Sequence, residues 1–319
     1  MKIINIAKSF IVGSIFVAFL FSCSSDNEAM NSGYEVDNML STPLTVEVKD
    51  NNGIVVRNKA AGPLYYKIDN GTIFTIDGDT QYTIPVKQGQ KVQFFGDNPT
   101  YTYNGEHDKY PSYIRFNGYV YGNIMSLISK DNFNSITTMT KDNEYAFFSL
   151  FLNSRIDNHP TKKLKLPATT LARYCYGYMF ENCQGLVEAP ALPATTLADY
   201  CYASMFYGCR DLVVASELPA TTLSKCCYLR MFENCSSLAK SPVLLAKKLT
   251  DYCYSNMFRK CSNLKEVTCL ATDLNSSNST YRWLEDTSDN GTFIKAKGVD
   301  SWRIGWDGIP EGWIIKEVE

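Results

Sequence analysis

Cysteine is the most reactive residue type that recurs in this chain, because thiolates bind metals, attack electrophiles and form disulfides. Eight of the 11 cysteines in the 319-residue sequence recur in two series with a period of 26 residues. The first series is Cys175, Cys201, Cys227 and Cys253, and the second is Cys183, Cys209, Cys235 and Cys261.

The cysteine spacing argues against a metal centre. Zinc sites use close cysteine pairs or mixed Cys/His clusters, whereas the two series here are eight residues apart within a unit. We therefore predict no metal and no cofactor, and we expect reduced thiols that pack as small apolar groups. Disulfides between stacked equivalents, about 5 Å apart, are the alternative. Cys226 and Cys269 lie outside both series and are the better candidates for an exception.

Histidine and serine patterns give little support for catalysis. His107 lies between Glu106 and Asp108 in a predicted loop, where a solvated side chain is expected rather than a base or a metal ligand. His159 precedes Pro160 and is expected to be structural. The sequence has no Gly-rich phosphate loop after a strand, no G-x-S-x-G and no H-E-x-x-H. We predict no catalytic residue and a protein that is not an enzyme.

A repeated segment of about 26 residues must position these side chains. The hexapeptide LPATTL begins at Leu166, Leu192 and Leu218, and a degenerate copy begins at Leu244. Met-Phe pairs and single leucines keep the same period. These are Met179-Phe180, Met205-Phe206, Met231-Phe232 and Met257-Phe258, followed by Leu186, Leu212, Leu238 and Leu264. A unit this short cannot bury its own apolar face, so it must stack on its neighbours as a solenoid.

The units resemble BspA-like leucine-rich-repeat surface lipoproteins of gut Bacteroidetes, both in the Phe-x-x-Cys-x-x-Leu core and in the closing segments GTFIKA and GIPEGW. The resemblance implies a leucine-rich-repeat solenoid at the cell surface, and it implies fold and location better than a ligand. We predict a short strand over 186–190, a helix of one to two turns over 198–208, and a C-terminal cap that contains all four tryptophans. These are Trp283, Trp302, Trp306 and Trp313.

The first residues are predicted to be a targeting signal rather than part of the folded domain. Lys2 and Lys8 precede an apolar run over 10–21, as in a bacterial signal peptide. The segment Leu20-Phe21-Ser22-Cys23 resembles a lipoprotein signal-peptidase site, which implies acyl chains on Cys23 and a membrane partner through that anchor. The alternative is an ordinary signal peptide cut elsewhere. The serine and acidic residues over 24–28 resemble a surface-export signal, which implies the outer membrane and its outer face.

The domain boundaries are predicted from changes in residue pattern along the chain, and the partner class from its net charge. We predict a signal peptide over 1–22, a flexible linker over 23–41, a β-sandwich-like domain over 42–140 and the capped solenoid over 141–319. Short alternating runs separated by Asn-Gly and Asp-Gly turns predict antiparallel hairpins in 42–140. The class is mainly β with short helices. A formal net charge of −2 argues against nucleic acid as a partner.

Positions that vary between units are the candidate binding surface, because solenoids bind along extended faces. The strand-side positions are Val187, Glu188, Val213, Val214, Lys240, Lys265 and Glu266, and a second varying column is Arg173, Asp199, Lys225 and Asp251. The repeated Thr-Thr pairs, such as Thr169-Thr170, could bind ligand through their hydroxyls but are expected to bond backbone in turns.

We therefore expect this chain to be a lipid-anchored cell-surface adhesion protein that binds an extracellular protein or glycan. The alternative is a glycan-capturing accessory lipoprotein in nutrient uptake, which would show exposed aromatic platforms on the Trp cap and on a group of tyrosines. These are Tyr101, Tyr103, Tyr110 and Tyr113. A glycan-cleaving enzyme would instead need two carboxylates about 5–10 Å apart in a groove.

Overall fold

The structure is a computed structural model that describes residues 39–100 and 111–318. The predicted signal peptide, Cys23, most of the predicted linker, and His107 with its acidic neighbours lie outside the described residues. So do three of the four candidate platform tyrosines, Tyr101, Tyr103 and Tyr110.

The described residues are mainly β, as predicted, and their helices are three short 3-10 turns. These turns are Ile124–Leu127, Phe133–Ser135 and Lys141–Asn143. The strands are β1 (Thr45–Val48), β2 (Ile54–Asn58), β3 (Leu64–Ile68), β4 (Ile73–Ile76), β5 (Thr80–Ile84), β6 (Lys91–Gly96), β7 (Tyr113–Arg115), β8 (Asn117–Asn123), β9 (Arg155–Asp157), β10 (Leu164–Lys165), β11 (Lys240–Leu244), β12 (Glu266–Cys269), β13 (Thr292–Lys295) and β14 (Ile314–Glu317). No helix among these residues is long and apolar enough to cross a bilayer.

The N-terminal strands form the antiparallel ladders that the alternating runs predict. One sheet has the order β10-β8-β1-β6-β3-β4, and a second has the order β5-β2-β7. In β2 the side chains of Ile54 and Val56 are fully buried, while Val55 and Arg57 between them are half-buried. Gly53, with a φ of +84°, makes the turn before β2, where a Cβ would meet the backbone of Ile84.

Strand β8 joins the N-terminal strands to the repeats. It pairs antiparallel with β1 and parallel with β9 and β10. The boundary predicted at residue 140 therefore falls between strands of one sheet.

The predicted helix over 198–208 is wrong, because this segment is a chain of tight turns. Tyr200, Ser204 and Gly208 have positive φ, at every fourth position, whereas an α-helix keeps φ near −60° throughout. Backbone N–H groups alternate between a carbonyl three residues back and a carbonyl of the next unit. For example, Met205 N–H bonds Tyr202 O at 3.1 Å and Phe206 N–H bonds Met231 O at 2.9 Å. The Tyr, Met and Phe spacing fits either arrangement, and stacking favours the turns because it supplies partners from the next unit.

Identical side chains stack on each other in the interior of the repeats. The phenylalanine rings of neighbouring units lie 5.4–5.6 Å apart, from Phe180 to Phe258. A parallel column of tyrosines, from Tyr176 to Tyr254, has spacings of 5.8–6.0 Å. All these rings are buried. A repeated sequence thus produces a core in which each unit packs on a copy of itself.

The cysteines of both series are buried in this core, as predicted. Each thiol of the second series donates to the carbonyl of a phenylalanine 29 or more residues earlier, as Cys209 does to Phe180 at 3.0 Å. The ten described cysteines, including Cys226 and Cys269, are buried free thiols.

The predicted strand over 186–190 is only partly right. Glu188 forms a single parallel bridge with Val214 rather than a continuous ladder. A regular parallel sheet begins later, in the order β11-β12-β13-β14.

The C-terminal segment continues the register with different side chains. Phe258 N–H bonds Trp283 O at 2.9 Å, as Phe232 N–H bonds Met257 O one unit earlier. The indole of Trp283 extends the tyrosine column, 6.2 Å from Tyr254, and donates to Gly308 O at 2.7 Å. Trp283 therefore continues the column with a ring whose polar atom is bonded, and the ring of Trp302 stacks on it at 5.6 Å.

Candidate binding surface

The strand-side positions form a column of neighbours on the surface. The carbonyl of Val187 accepts the N–H groups of both Val213 and Val214, at 2.9 and 3.0 Å. These three valines are exposed to 47%, 48% and 53%. The structure thus places three half-exposed branched residues at neighbouring backbone positions of two adjacent units.

Charged pairs flank the valines on both sides. Lys163 contacts Glu188 at 2.8 Å toward the N-terminus. Lys240 contacts Glu266 at 2.7 Å toward the C-terminus, where the two residues are directly paired in β11 and β12. Lys265 is exposed beside them, and its carbonyl accepts the N–H of Thr292 at 2.8 Å. The strand-side surface thus has half-exposed valines between ion pairs that contain charges of both signs.

Asn158 closes the N-terminal end of the strand-side column. Its Oδ1 accepts the N–H groups of Val187 and Glu188, both at 2.9 Å, and its Nδ2 donates to Glu188 O at 2.8 Å. A side-chain amide of the preceding segment therefore bonds the backbone of Val187 and Glu188, next to the parallel bridge between Arg155 and Gln184. This position was not among the predicted site residues, since its role depends on contacts 29 residues away.

The second varying column is engaged within the stack. Asp199 Oδ1 accepts the N–H of Lys225 at 3.1 Å, and Asp251 Oδ1 accepts that of Ser277 at 3.1 Å. The hydroxyl of Ser276 also bonds Asp251 and lowers the pKa of that carboxyl. The guanidinium of Arg173 lies over the ring of Tyr174 at 5.1 Å. Three of the four predicted positions thus have partners within the protein, as do Glu188, Lys240 and Glu266 on the strand side.

An ion-pair ladder crosses the turns on another part of the repeats. Glu233 is almost completely buried and contacts Arg230 at 2.6 Å and Arg259 at 3.0 Å. Arg259 also reaches Glu285 at 2.7 Å, and Arg282 contacts Glu285 at 2.6 Å. The bond from Arg282 holds the pKa of Glu285 below its usual range. The ladder ties three consecutive units together.

The Thr-Thr pairs lie in the contacts between units. The hydroxyl of Thr169 donates to Thr137 O at 3.3 Å, and its carbonyl accepts the N–H groups of Thr195 and Thr196 at 3.0 and 3.1 Å. His159 likewise has a structural contact, since its Nδ1 accepts the N–H groups of Thr161 and Lys162. Burial lowers the pKa of His159.

A cleft of about 290 Å³ lies at the C-terminal end of the described residues. Trp306 lines it with 59% of its surface exposed, and its ring lies 5.3 Å from that of Tyr281 in an edge-to-face arrangement. Asn275, Arg303 and Asp307 also line it. The sequence predicted an aromatic platform on the Trp cap, but it did not predict the cleft or single out Trp306.

The other predicted aromatic platforms are not exposed. Trp283 and Trp313 are buried, Trp302 is half-buried, and Tyr113 is 7% exposed. Trp306 is thus the one tryptophan of the cap whose ring is largely open to solvent.

Comparison with known proteins gives no relative. No protein-family model, no curated protein and no solved structure matches the chain. No cluster of three or more His, Cys, Asp or Glu side chains that could hold a metal ion occurs in residues 39–100 and 111–318.

Proposed function

We propose that this chain is a cell-surface binding protein, tethered to the outer membrane by acyl chains on Cys23, which recognises a protein partner through its repeats. Recognition by shape and surface charge needs no catalytic group, and we propose that the chain is not an enzyme. The linker over 23–41 would give the tethered domains reach.

The proposed architecture is a leucine-rich-repeat solenoid over 141–319 behind a β-sandwich-like domain over 42–140. The bonds from each unit to the next support the solenoid, because they recur with the period of the sequence from Tyr176 to Phe258. The two antiparallel sheets of the N-terminal strands support the sandwich-like domain. The resemblance of the repeats to those of BspA-like surface lipoproteins rests on the sequence motifs alone.

The observation that carries the proposal is the exposed strand-side valine group of Val187, Val213 and Val214. Burying an exposed valine side chain contributes about 1.5–3 kcal/mol at most. Isolated exposed apolar residues are ordinary, but neighbouring ones within a charged margin mark interaction surfaces. The complementary partner would present apolar side chains at its centre, with a carboxylate toward Lys265.

The experiment screens the full chain, purified in a non-glycosidic detergent, against collagen, laminin, fibronectin and mucin. We expect saturable binding to at least one of them. The double substitution Val213→Asp and Val214→Asp should weaken that binding at least about tenfold, because it places charges in the apolar centre.

The matched control is Ile73→Asp, at an apolar residue that is 64% exposed on β4, far along the chain from the repeats. Equal loss of binding in the control, or no loss in the double variant, would reject the strand-side surface as the docking site. Absence of binding to all four proteins would reject adhesion to this class of partner.

The anchor has its own test. Replacing Cys23 by Ser should abolish incorporation of labelled palmitate and shift the protein from the membrane fraction to the soluble one, since stable anchoring needs two or more chains. Labelling that persists in Cys23→Ser would place the lipid elsewhere.

Glycan capture as an accessory lipoprotein in nutrient uptake is the second candidate function. The exposed indole of Trp306 beside Tyr281 favours it.

A further inference from the structure

The C-terminal cleft lies between a segment that still follows the repeat register, as the bond from Asn256 N–H to Tyr281 O at 2.8 Å shows, and a segment beyond it. One wall is the segment 274–281 and the other is the segment 301–307. The hydroxyl of Thr280 donates to Asp307 O at 2.7 Å and fixes the two walls to each other. The indole N–H of Trp283, bonded to Gly308 O, holds the second wall against the buried core. The cleft is thus built on a rigid base.

Its lining combines an aromatic face with many small polar groups. The polar lining includes Asn275, Arg303 and Asp307, together with several hydroxyls, of which those of Ser276 and Thr280 already donate within the protein. Amides, hydroxyls and a guanidinium supply donors, and amides, hydroxyls and a carboxylate supply acceptors. A ligand with hydroxyl groups around its edge, each able to donate and accept, matches such a mixed set.

One polar atom beside the cleft lacks a partner. The indole Nε1 of Trp302 is buried and has no acceptor in the described part of the chain. A buried donor without an acceptor is unfavourable, and proteins seldom leave one unpaired. Trp302 lines the cleft with other atoms of its ring, since Nε1 itself is not accessible to solvent.

The charges of the cleft disfavour other small ligands. Its single cationic side chain, Arg303, is paired with Asp307 at 3.3 Å, so a phosphate would have to compete with a carboxylate. Polar lining exceeds what a predominantly apolar ligand needs. A volume of about 290 Å³ suits a ligand of one ring rather than a folded partner.

We propose that this cleft is a carbohydrate-binding subsite in which the ring of Trp306 packs against the C–H face of a pyranose and the polar rim bonds its hydroxyls. Stacking removes the apolar C–H surface of the sugar from water, and indole offers a large flat face for it. The site is separate from the strand-side valine group. It gives the glycan-capture function its ligand class and does not depend on protein docking.

The site binds and does not hydrolyse. Asp307 is the only carboxylate among the lining residues, and it is held by Arg303. Glycoside hydrolysis ordinarily uses a pair of carboxylates on either side of the bond.

The test titrates the full chain with neutral gluco-, galacto-, manno- and xylo-oligosaccharides, followed by calorimetry and by tryptophan fluorescence. We expect saturable binding of at least one series with a change in emission, because Trp306 passes from water into contact with the sugar. Trp306→Ala should weaken it at least about tenfold, as truncation of an aromatic anchor typically does. Asn275→Ala, at an exposed lining residue, should weaken it less.

Ile304→Ala is the matched control, because Ile304 is 55% exposed two residues from Trp306 and does not line the cleft. Trp306→Phe keeps a smaller ring and should retain part of the affinity. No binding of any of the four series, or equal binding by Trp306→Ala and Ile304→Ala, would overturn the proposal. Protein binding at the strand-side valines is unaffected by either result.

Discussion

The stacked repeats over 171–264 and the C-terminal segment 270–318 share one register but differ in how their side chains fill space. In the repeats, each phenylalanine and tyrosine packs on its equivalent, so the interior is closed and the surface is a row of similar positions. In the C-terminal segment, Trp283 and Trp302 stack on each other at 5.6 Å, and the copies no longer match. Regular units therefore give an extended surface, whereas the unlike side chains of the C-terminal segment leave a cleft.

This difference assigns separate roles to the interior and the exterior. Substitutions in the columns should change stability, while substitutions at Val214 or Trp306 should change binding and leave stability almost unaltered. Each prediction below measures one side of that division.

Thiol reactivity should show the largest effect. In the native protein at pH 8, the ten described cysteines should react with a thiol reagent at least about a thousandfold slower than in denaturant, because exposing them requires unfolding that costs about 5 kcal/mol or more. Cys226 should react first of the ten, because it contacts the hydroxyl of Tyr200, which is partly exposed. The same contact raises the pKa of Tyr200 to about 12. Mass spectrometry of labelled peptides gives the order, and uniform fast labelling would mean an open stack.

Truncation of a buried ring should show the next largest effect. Phe206→Ala removes a fully buried ring between Phe180 and Phe232 and should lower the free energy of unfolding by about 3–5 kcal/mol. Trp306→Ala should lower it by less than about 0.5 kcal/mol, because its ring is mostly in solvent. Denaturant unfolding measures both. Similar losses in the two variants would remove the distinction between column and cleft.

Ion pairs in the two regions should differ by a smaller amount. Glu233→Gln leaves Arg230 and Arg259 without their buried carboxylate and should cost about 1–3 kcal/mol. Asp307→Asn breaks a pair whose arginine is largely exposed and should cost less than about 1 kcal/mol. The comparison uses unfolding midpoints at two salt concentrations, and a larger loss for Asp307→Asn would contradict the account.

Alkaline pH should also weaken the repeats. Burial raises the pKa of Cys209 and Cys261 from 9.0 to about 12, so the folded state disfavours the thiolate. The stability contributed by these thiols is complete below pH 9 and is lost as the pH rises from 9 toward 12. Unfolding midpoints of the wild type should fall over this range more steeply than those of Cys209→Ala. Parallel slopes would show that this thiol does not ionise on unfolding.

The sequence predicted the parts of the fold that depend on the period. The register that places Trp283 after Met257, the buried cysteines and the antiparallel N-terminal ladders are all confirmed. The helix over 198–208 is wrong because side-chain spacing does not reveal the positive φ of Tyr200 and Ser204, which depends on bonds to the next unit.

The site was less predictable than the fold. Variation between units identified Val213 and Val214 correctly as exposed, but it equally selected Asp199, whose carboxylate bonds a backbone N–H 26 residues later. The cleft depends on how the segment 301–307 lies against the segment 274–281, and no pattern within either segment specifies that. Trp306 is distinguished from the other tryptophans only by its exposure.

The most direct test of the account titrates three forms of the full chain with both ligand classes: the wild type, the Val213→Asp, Val214→Asp double variant, and Trp306→Ala. We predict that the double variant loses protein binding and keeps saccharide binding, that Trp306→Ala shows the reverse, and that all three unfold at the same denaturant concentration within error. If one variant abolished both kinds of binding, or if neither variant affected either, the division between an extended docking face and a separate carbohydrate cleft would be contradicted.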